Sequence, residues 1–208
     1  MFAYCGNNPI TGYDPLGFIN WDGVVLGIGM GILALGAAAL TVATAGAAAP
    51  LAAAAITTLG TVATAALAEA SVVTMYGAAC EIPVVYDITA VAGNDRGGIS
   101  LVYDYGEDTS DLYLHTGKQS QKDVSMTFGS GFVYNYDKPG DYAGEFVDVS
   151  MSGKAKGASL GVDYCTSPSN FTNGYKDSHA LLLTAGWSSV PTSSKYPTFS
   201  YDYYWPVS

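Results

Sequence analysis

The chain is poor in charge, and poorest in positive charge. Only 12% of its 208 residues are charged, against about 25% in an ordinary soluble domain. Hydrophobic residues make up 49%, which excludes a disordered chain, since disorder needs low hydrophobicity and high charge. Eight Lys and Arg stand against eighteen acids, for a net charge of −10. Without a basic cluster to neutralise phosphates, a nucleic-acid groove is excluded. Cysteine is scarce as well. Cys5, Cys80 and Cys165 are too few and too scattered for a disulfide scaffold or a zinc site. A Cys80–Cys165 bridge would join the two halves of the chain, and free thiols are the alternative. No cofactor motif and no metal-ligand spacing is present.

What charge there is lies unevenly. Residues 1–95 hold no Lys or Arg, and Gly23 to Ala68 is 46 residues without charge of either sign. Within it Val24 to Ala49 is followed by Pro50, and Leu51 to Tyr76 is interrupted only by Glu69. About 20 residues of helix cross a bilayer, so each half is long enough. Pro50 is the break, because proline disfavours helix in the residue before it and starts a helix well. The expectation is an apolar helical hairpin. Gly27, Gly31, Ala34 and Ala38 form a stripe of small residues of the kind that lets helices approach closely in lipid. Gly27, Gly31, Leu35, Pro50 and Gly60 are the expected membrane-inserting positions. A stable span, a conditionally inserting hairpin and a buried hairpin in a soluble shell all remain open.

Before that tract the chain reads MFAYCGNNPITGYDPLGF. Asn7-Asn8-Pro9, Thr11-Gly12 and Asp14-Pro15-Leu16-Gly17 are turn chemistry, and no basic n-region marks a signal peptide. From Tyr4 to Gly17 the pattern Y-x-x-N-N-P-x-x-x-x-D-P-x-G resembles the closing segment of the Rhs/YD-repeat-associated core. The resemblance covers about the first 18 residues. It implies a bacterial polymorphic toxin, in which this segment ends a β-cocoon shell and a variable tip follows. It also implies an internal Met1, a parent Rhs shell, secretion as an effector and an immunity protein as partner. It does not say what activity the tip carries.

From Val84 the period changes to two. Val124, Met126 and Phe128 alternate with Ser125 and Thr127, and Phe199, Tyr201, Tyr203 and Trp205 alternate with Ser200, Asp202 and Tyr204. That is the pattern of strands with one buried face, the apolar one, and one wet face. Eight strands are expected, at 84–91, 99–105, 111–116, 123–134, 144–152, 157–165, 179–187 and 199–205. Hairpins in series imply an antiparallel small barrel or sandwich. A transmembrane barrel is the less favoured form, because several expected strands fall short of the 9–11 residues needed and their polar faces carry carboxylates. The whole is α+β: a core-like segment (1–20), an apolar hairpin (21–81) and a tyrosine-rich β-domain (82–208).

Catalytic residue types are sparse. His115 is expected on a solvated strand face, with His179 opening a strand. Asp177-Ser178-His179 is no triad, because neighbours on a strand face opposite ways. Asp104, Glu107, Asp108 and Asp111 read as a solvated hairpin loop, and Glu145, Asp148 and Asp141 as an unfixed carboxylate group. Asn170-Phe171-Thr172 matches a glycosylation sequon. The expectation is a membrane-acting toxin tip, non-enzymatic and membrane-associated or secreted. A binding module on a membrane anchor and an enzyme in the β-domain are the alternatives.

Overall fold

The computed structural model describes residues 22–23, 25–31, 50–138, 140–155, 157–189 and 197–207. Residues 22–23 and 25–31 are helical. Helix α1 (Pro50–Cys80) is followed by strands β1 (Val84–Asp104), β2 (Thr109–Tyr134), β3 (Gly144–Ala155) and β4 (Ala158–Thr166). The short helix α2 (Asn170–Asn173), β5 (His179–Ser188) and β6 (Thr198–Pro206) complete the chain. Pro50 opens α1 as expected. The helix ends with Glu81 at φ 53° and Ile82 N–H bonded back to Gly77 O at 3.0 Å, a left-handed cap that Pro83 makes final.

The helical residues 22–23 and 25–31 run antiparallel to the end of α1. Gly23 faces Ala78, Gly27 faces Met75 and Ser71, and Gly31 faces Ser71. A Cβ on Gly27 would overlap the Met75 side chain and come within 2.9 Å of Ser71 O. Ser71 Oγ donates to Gly27 O at 2.5 Å. Small residues four apart thus let the two helices touch backbone to side chain. Leu35 and the rest of the expected reversal lie outside the described residues. Gly60 sits partly exposed within α1.

The strands form one sheet, β1-β2-β5-β4-β3-β6, closed by pairing of β2 with β6. The closed ring has five strands, β2, β5, β4, β3 and β6, all pairing antiparallel. An odd antiparallel ring closes only if one strand reverses its direction. β2 does so: Tyr113–Gln119 pairs with β6 and Ser125–Tyr134 with β5, along the same edge. β1 follows the other edge throughout, with a register shift between Gly93 and Asp95. The β1–β2 ribbon therefore curls into a U. The two limbs of β1 lie against each other, and a Cβ on Gly98 would overlap Ile88 O.

Six strands thus stand where eight were expected. The expected segments 84–91 and 99–105 are limbs of β1, and 111–116 and 123–134 are limbs of β2. The Gly93-Asn94-Asp95 turn signal is a bulge that bends a continuous strand, and nothing between Gly117 and Lys122 breaks β2.

The larger correction concerns the faces. Most polar residues of the strands point into the barrel and most apolar ones point out, except toward the end where β1 begins, where Val85, Val102, Val133, Phe146, Ala180 and Leu182 form a buried inner cluster. Leu114 is 47% exposed, Leu160 52% and Phe199 52%, while Asp148 is 1% exposed and Asp202 0%. Among the outward residues of the six strands, charge occurs only at Asp95, Lys118, Lys122 and Glu145, all near the barrel ends. Outward aromatics gather at the end where β1 begins: Tyr103, Tyr134, Tyr164, Tyr203 and Trp205. Trp187 and Phe199 stand at the other end. The two objections to a transmembrane barrel therefore fall away. β3 to β6 are 12, 9, 10 and 9 residues long, and the strand carboxylates other than Asp95 and Glu145 are on the inner face.

α1 packs outside the barrel. Val73 and Ala78 share a buried cluster with Val84 and Tyr105, flanked by Tyr86 and Phe132. Tyr76 meets Phe132 edge-on at 5.4 Å, and Thr74 Oγ1 and Tyr86 Oη lie 2.5 Å apart.

Candidate functional site

The lumen has three layers. At the end where β1 begins it has an apolar floor. Tyr142 is fully buried there, with ring centres 5.8 Å from Tyr113, 4.8 Å from Phe146 and 5.2 Å from Tyr204. It belongs to the β2–β3 connection, which tucks under the barrel as a plug. Asp111, pointing inward from β2, latches that connection. Its Oδ2 accepts from Tyr136 Oη at 2.6 Å, Gly140 N at 3.0 Å and Tyr113 Oη at 3.1 Å. Burial first, then the Asp111 carboxylate, pushes the Tyr136 hydroxyl up from its ordinary value, so it remains a donor.

The middle layer is charged. Arg96, the chain's one arginine, reaches in from β1 just past the bulge. Its Nη1 lies 2.9 Å from Asp148 Oδ2 and its Nε 3.3 Å from Asp202 Oδ2. It also bonds Ser200 Oγ. The Asp202 contact is an ion pair without a well-directed hydrogen bond, for Arg96 Nε and both Asp202 oxygens have no hydrogen-bond partner. Beside it Asp87 Oδ1 faces His115 Nε2 at 3.1 Å. Asp87 also accepts from Ser100 Oγ and Thr89 Oγ1, each at 2.5 Å. His115 stacks on Tyr204 at 4.7 Å. Asp163 accepts from Ser150 Oγ at 2.8 Å, and Cys165 Sγ donates to Asp148 Oδ1 at 2.5 Å. Four inward carboxylates thus surround one guanidinium and one imidazole, and most of their oxygens are tied to barrel groups.

The third layer is a mouth at the opposite end. A cavity of about 100 Å³ opens there, lined by Gln119, Gln121, Asp123, Thr127, Asp163 and Thr184 among others. That is room for several waters. Lys154 Nζ, from β3, bonds Asp123 Oδ2 at 3.0 Å and Ser188 Oγ at 2.9 Å across the rim.

This arrangement holds charge in place and offers no activated nucleophile. His115 is 1% exposed and stacked, not solvated as expected, because the polar face of β2 is the inner one. His179 does open β5, half-buried against Tyr134 at 5.2 Å. The two histidines are not brought together. Glu145 points out, Asp148 in, and Asp141 caps its own loop through Asp137 N and Lys138 N, so they form no carboxylate pair. Cys165 is buried within the barrel and Cys80 sits exposed at the end of α1; both are free thiols, with the sheet wall between them. Asp104 and Asp111 are not a solvated loop. Asp104 is buried and accepts from Gly106 N at 2.9 Å. Asn170 is 1% exposed and bonds Thr166 Oγ1 and Asp177 O, so the sequon asparagine is spent on folding its own loop. Among the described residues no group of acids, histidines and cysteines is arranged to hold a metal.

Sequence reasoning missed Arg96. A lone arginine, in a chain whose other Lys and Arg residues are all lysine, was the available signal. Comparison with protein-family models, curated proteins and solved structures finds no match.

Proposed function

We propose that this chain is the membrane-acting tip of an Rhs-type polymorphic toxin, and that the helix pair formed by α1 and residues 22–31 enters the target bilayer. One observation carries the membrane part. The 31 residues of α1 are uncharged except for Glu69, and glycines bind them to a second apolar helix. The outer side of the pair leaves Val25, Leu26, Ile28, Leu59 and Val72 exposed. Thr57–Cys80 alone has the length and composition to cross a bilayer. The toxin part rests on the Asn7-Asn8-Pro9 and Asp14-Pro15-Leu16-Gly17 resemblance, with the parent shell as carrier and an immunity protein as its expected antagonist. An enzymatic tip is disfavoured by the middle layer of the lumen, whose Arg96, Asp148 and Asp202 side chains are buried in ion pairs.

Expression with a potential-sensitive dye tests the reading. The chain should depolarise the membrane before translation or nucleic acid is affected. Leu35→Lys and Gly27→Leu should abolish the effect, and His179→Ala should retain it. Growth arrest with membrane potential intact would overturn the proposal in favour of an enzyme.

A further inference from the structure

The unusual surface of this molecule is the outside of the barrel. In a barrel that lives in water the apolar face of each strand fills the interior. Here Leu114, Val162 and Leu183 point outward from three different strands, while Arg96, Asp148 and Asp202 are buried within. The geometry points to a phospholipid bilayer as the partner of that outer surface: the barrel itself, and not only the helix pair, spans the membrane. The inference goes beyond the reading above and does not need the toxin identity.

Four independent features select lipid over a protein cover. The apolar surface runs around the barrel on β1 to β6 instead of forming one patch, whereas a docking partner covers one side. Outward charges sit only near the ends, at Asp95, Lys118 and Lys122 by the mouth and Glu145 toward the floor, where headgroups would lie. Outward aromatics mark both ends, as in membrane barrels whose apolar band is flanked by aromatic girdles. The strands β3 to β6, at 9–12 residues, match the 9–11 that a tilted strand needs to cross. The remaining requirement, that no backbone edge meets hydrocarbon, is met by ring closure for five of the strands, and the two limbs of β1 approach each other closely where Gly98 meets Ile88 O. α1 lies along the same wall with its own exposed apolar side, so one slab of lipid accommodates both. Because Tyr142 and the Asp111-latched connection fill the floor, the inserted barrel is a closed vessel open at one end.

Single-tryptophan variants of the full chain test this in vesicles of phosphatidylcholine and phosphatidylglycerol. Trp21, Trp187 and Trp205 are replaced by Phe, and Leu183→Trp or Val72→Trp is introduced at mid-barrel or mid-helix. Lipids brominated deep in the acyl chain supply the quencher. Retained β circular dichroism of the vesicle-bound protein certifies the fold. The expected result is at least two-fold deep quenching at both positions. Quenching of Val72→Trp alone means the helix pair inserts and the barrel stays outside, which overturns this inference and leaves the proposed function standing. Quenching of Leu183→Trp alone supports the inference and removes the helix pair from the membrane. Quenching of neither overturns both. A detergent-free, water-soluble oligomer that shields Leu183→Trp from aqueous iodide would show that copies of the chain cover the wall instead, and would overturn the inference.

Discussion

Arg96 shows how one residue sets the polarity of the lumen. Its guanidinium is 7% exposed and flanked by two carboxylates that are nearly inaccessible. Removing one partner of such a group leaves charge buried and unpaired, at a cost of about 3–5 kcal/mol. Arg96→Met should lower unfolding free energy by that order in a urea titration, and adding Asp148→Asn and Asp202→Asn to it should recover part of the loss. Glycine governs the wall in the same local way. A Cβ on Gly117 would overlap Tyr201 O, and one on Gly131 would overlap Leu181 O, whereas one on Gly153 would find its nearest neighbour at 3.9 Å. Gly117→Ala and Gly131→Ala should therefore impair ring closure, and Gly153→Ala should change stability by no more than about 0.5 kcal/mol. Thermal melts of the three variants compare them directly.

Among the elements, the strands were largely legible and their sidedness was not. Alternation places β3 to β6 and both limbs of β1 and of β2 within a few residues, leaving out 92–98 and 117–122, because period two is a property of the backbone. It cannot say which face is wet. Val124-Ser125-Met126-Thr127 reads alike whether water or lipid lies outside, and the usual assumption put His115 and Asp148 on the wrong side. The lengths of β1 and β2 were equally hidden. Gly93-Asn94-Asp95 has the chemistry of a turn, and only the partner strand determines that it is a bulge. The Gly27 and Gly31 stripe was legible, since close helix approach needs small residues wherever it occurs. The plug was not legible, because Asp111 and Gly140 are 29 residues apart and nothing in their spacing joins them. Asp111→Ala removes three donors' common acceptor. It should loosen the β2–β3 connection first, seen as faster proteolysis near Lys138 while the strands stay protected.

At the scale of the whole molecule the helix and the barrel share Val73, Ala78, Val84 and Tyr105 as one buried cluster, yet the ring closes without the helix. Residues 82–208 expressed alone should keep a β circular dichroism spectrum. The uncovered Tyr86 and Phe132 side should make that fragment more dependent on detergent than the full chain. A helical or unfolded spectrum would mean that α1 is a structural wall of the barrel. The order in which the ring is made also matters. β1, β2 and the β3–β4 hairpin pair with sequence neighbours, but β3 and the first limb of β2 meet only through the nine residues of β6. The barrel is therefore a garment whose single seam is sewn by β6, the strand that follows all the others. A polypeptide stopped at residue 197 would carry two raw edges, and protease should strip it from both. A chain still in transit, head first through a narrow channel, would remain an open ribbon until β6 arrives to fasten it.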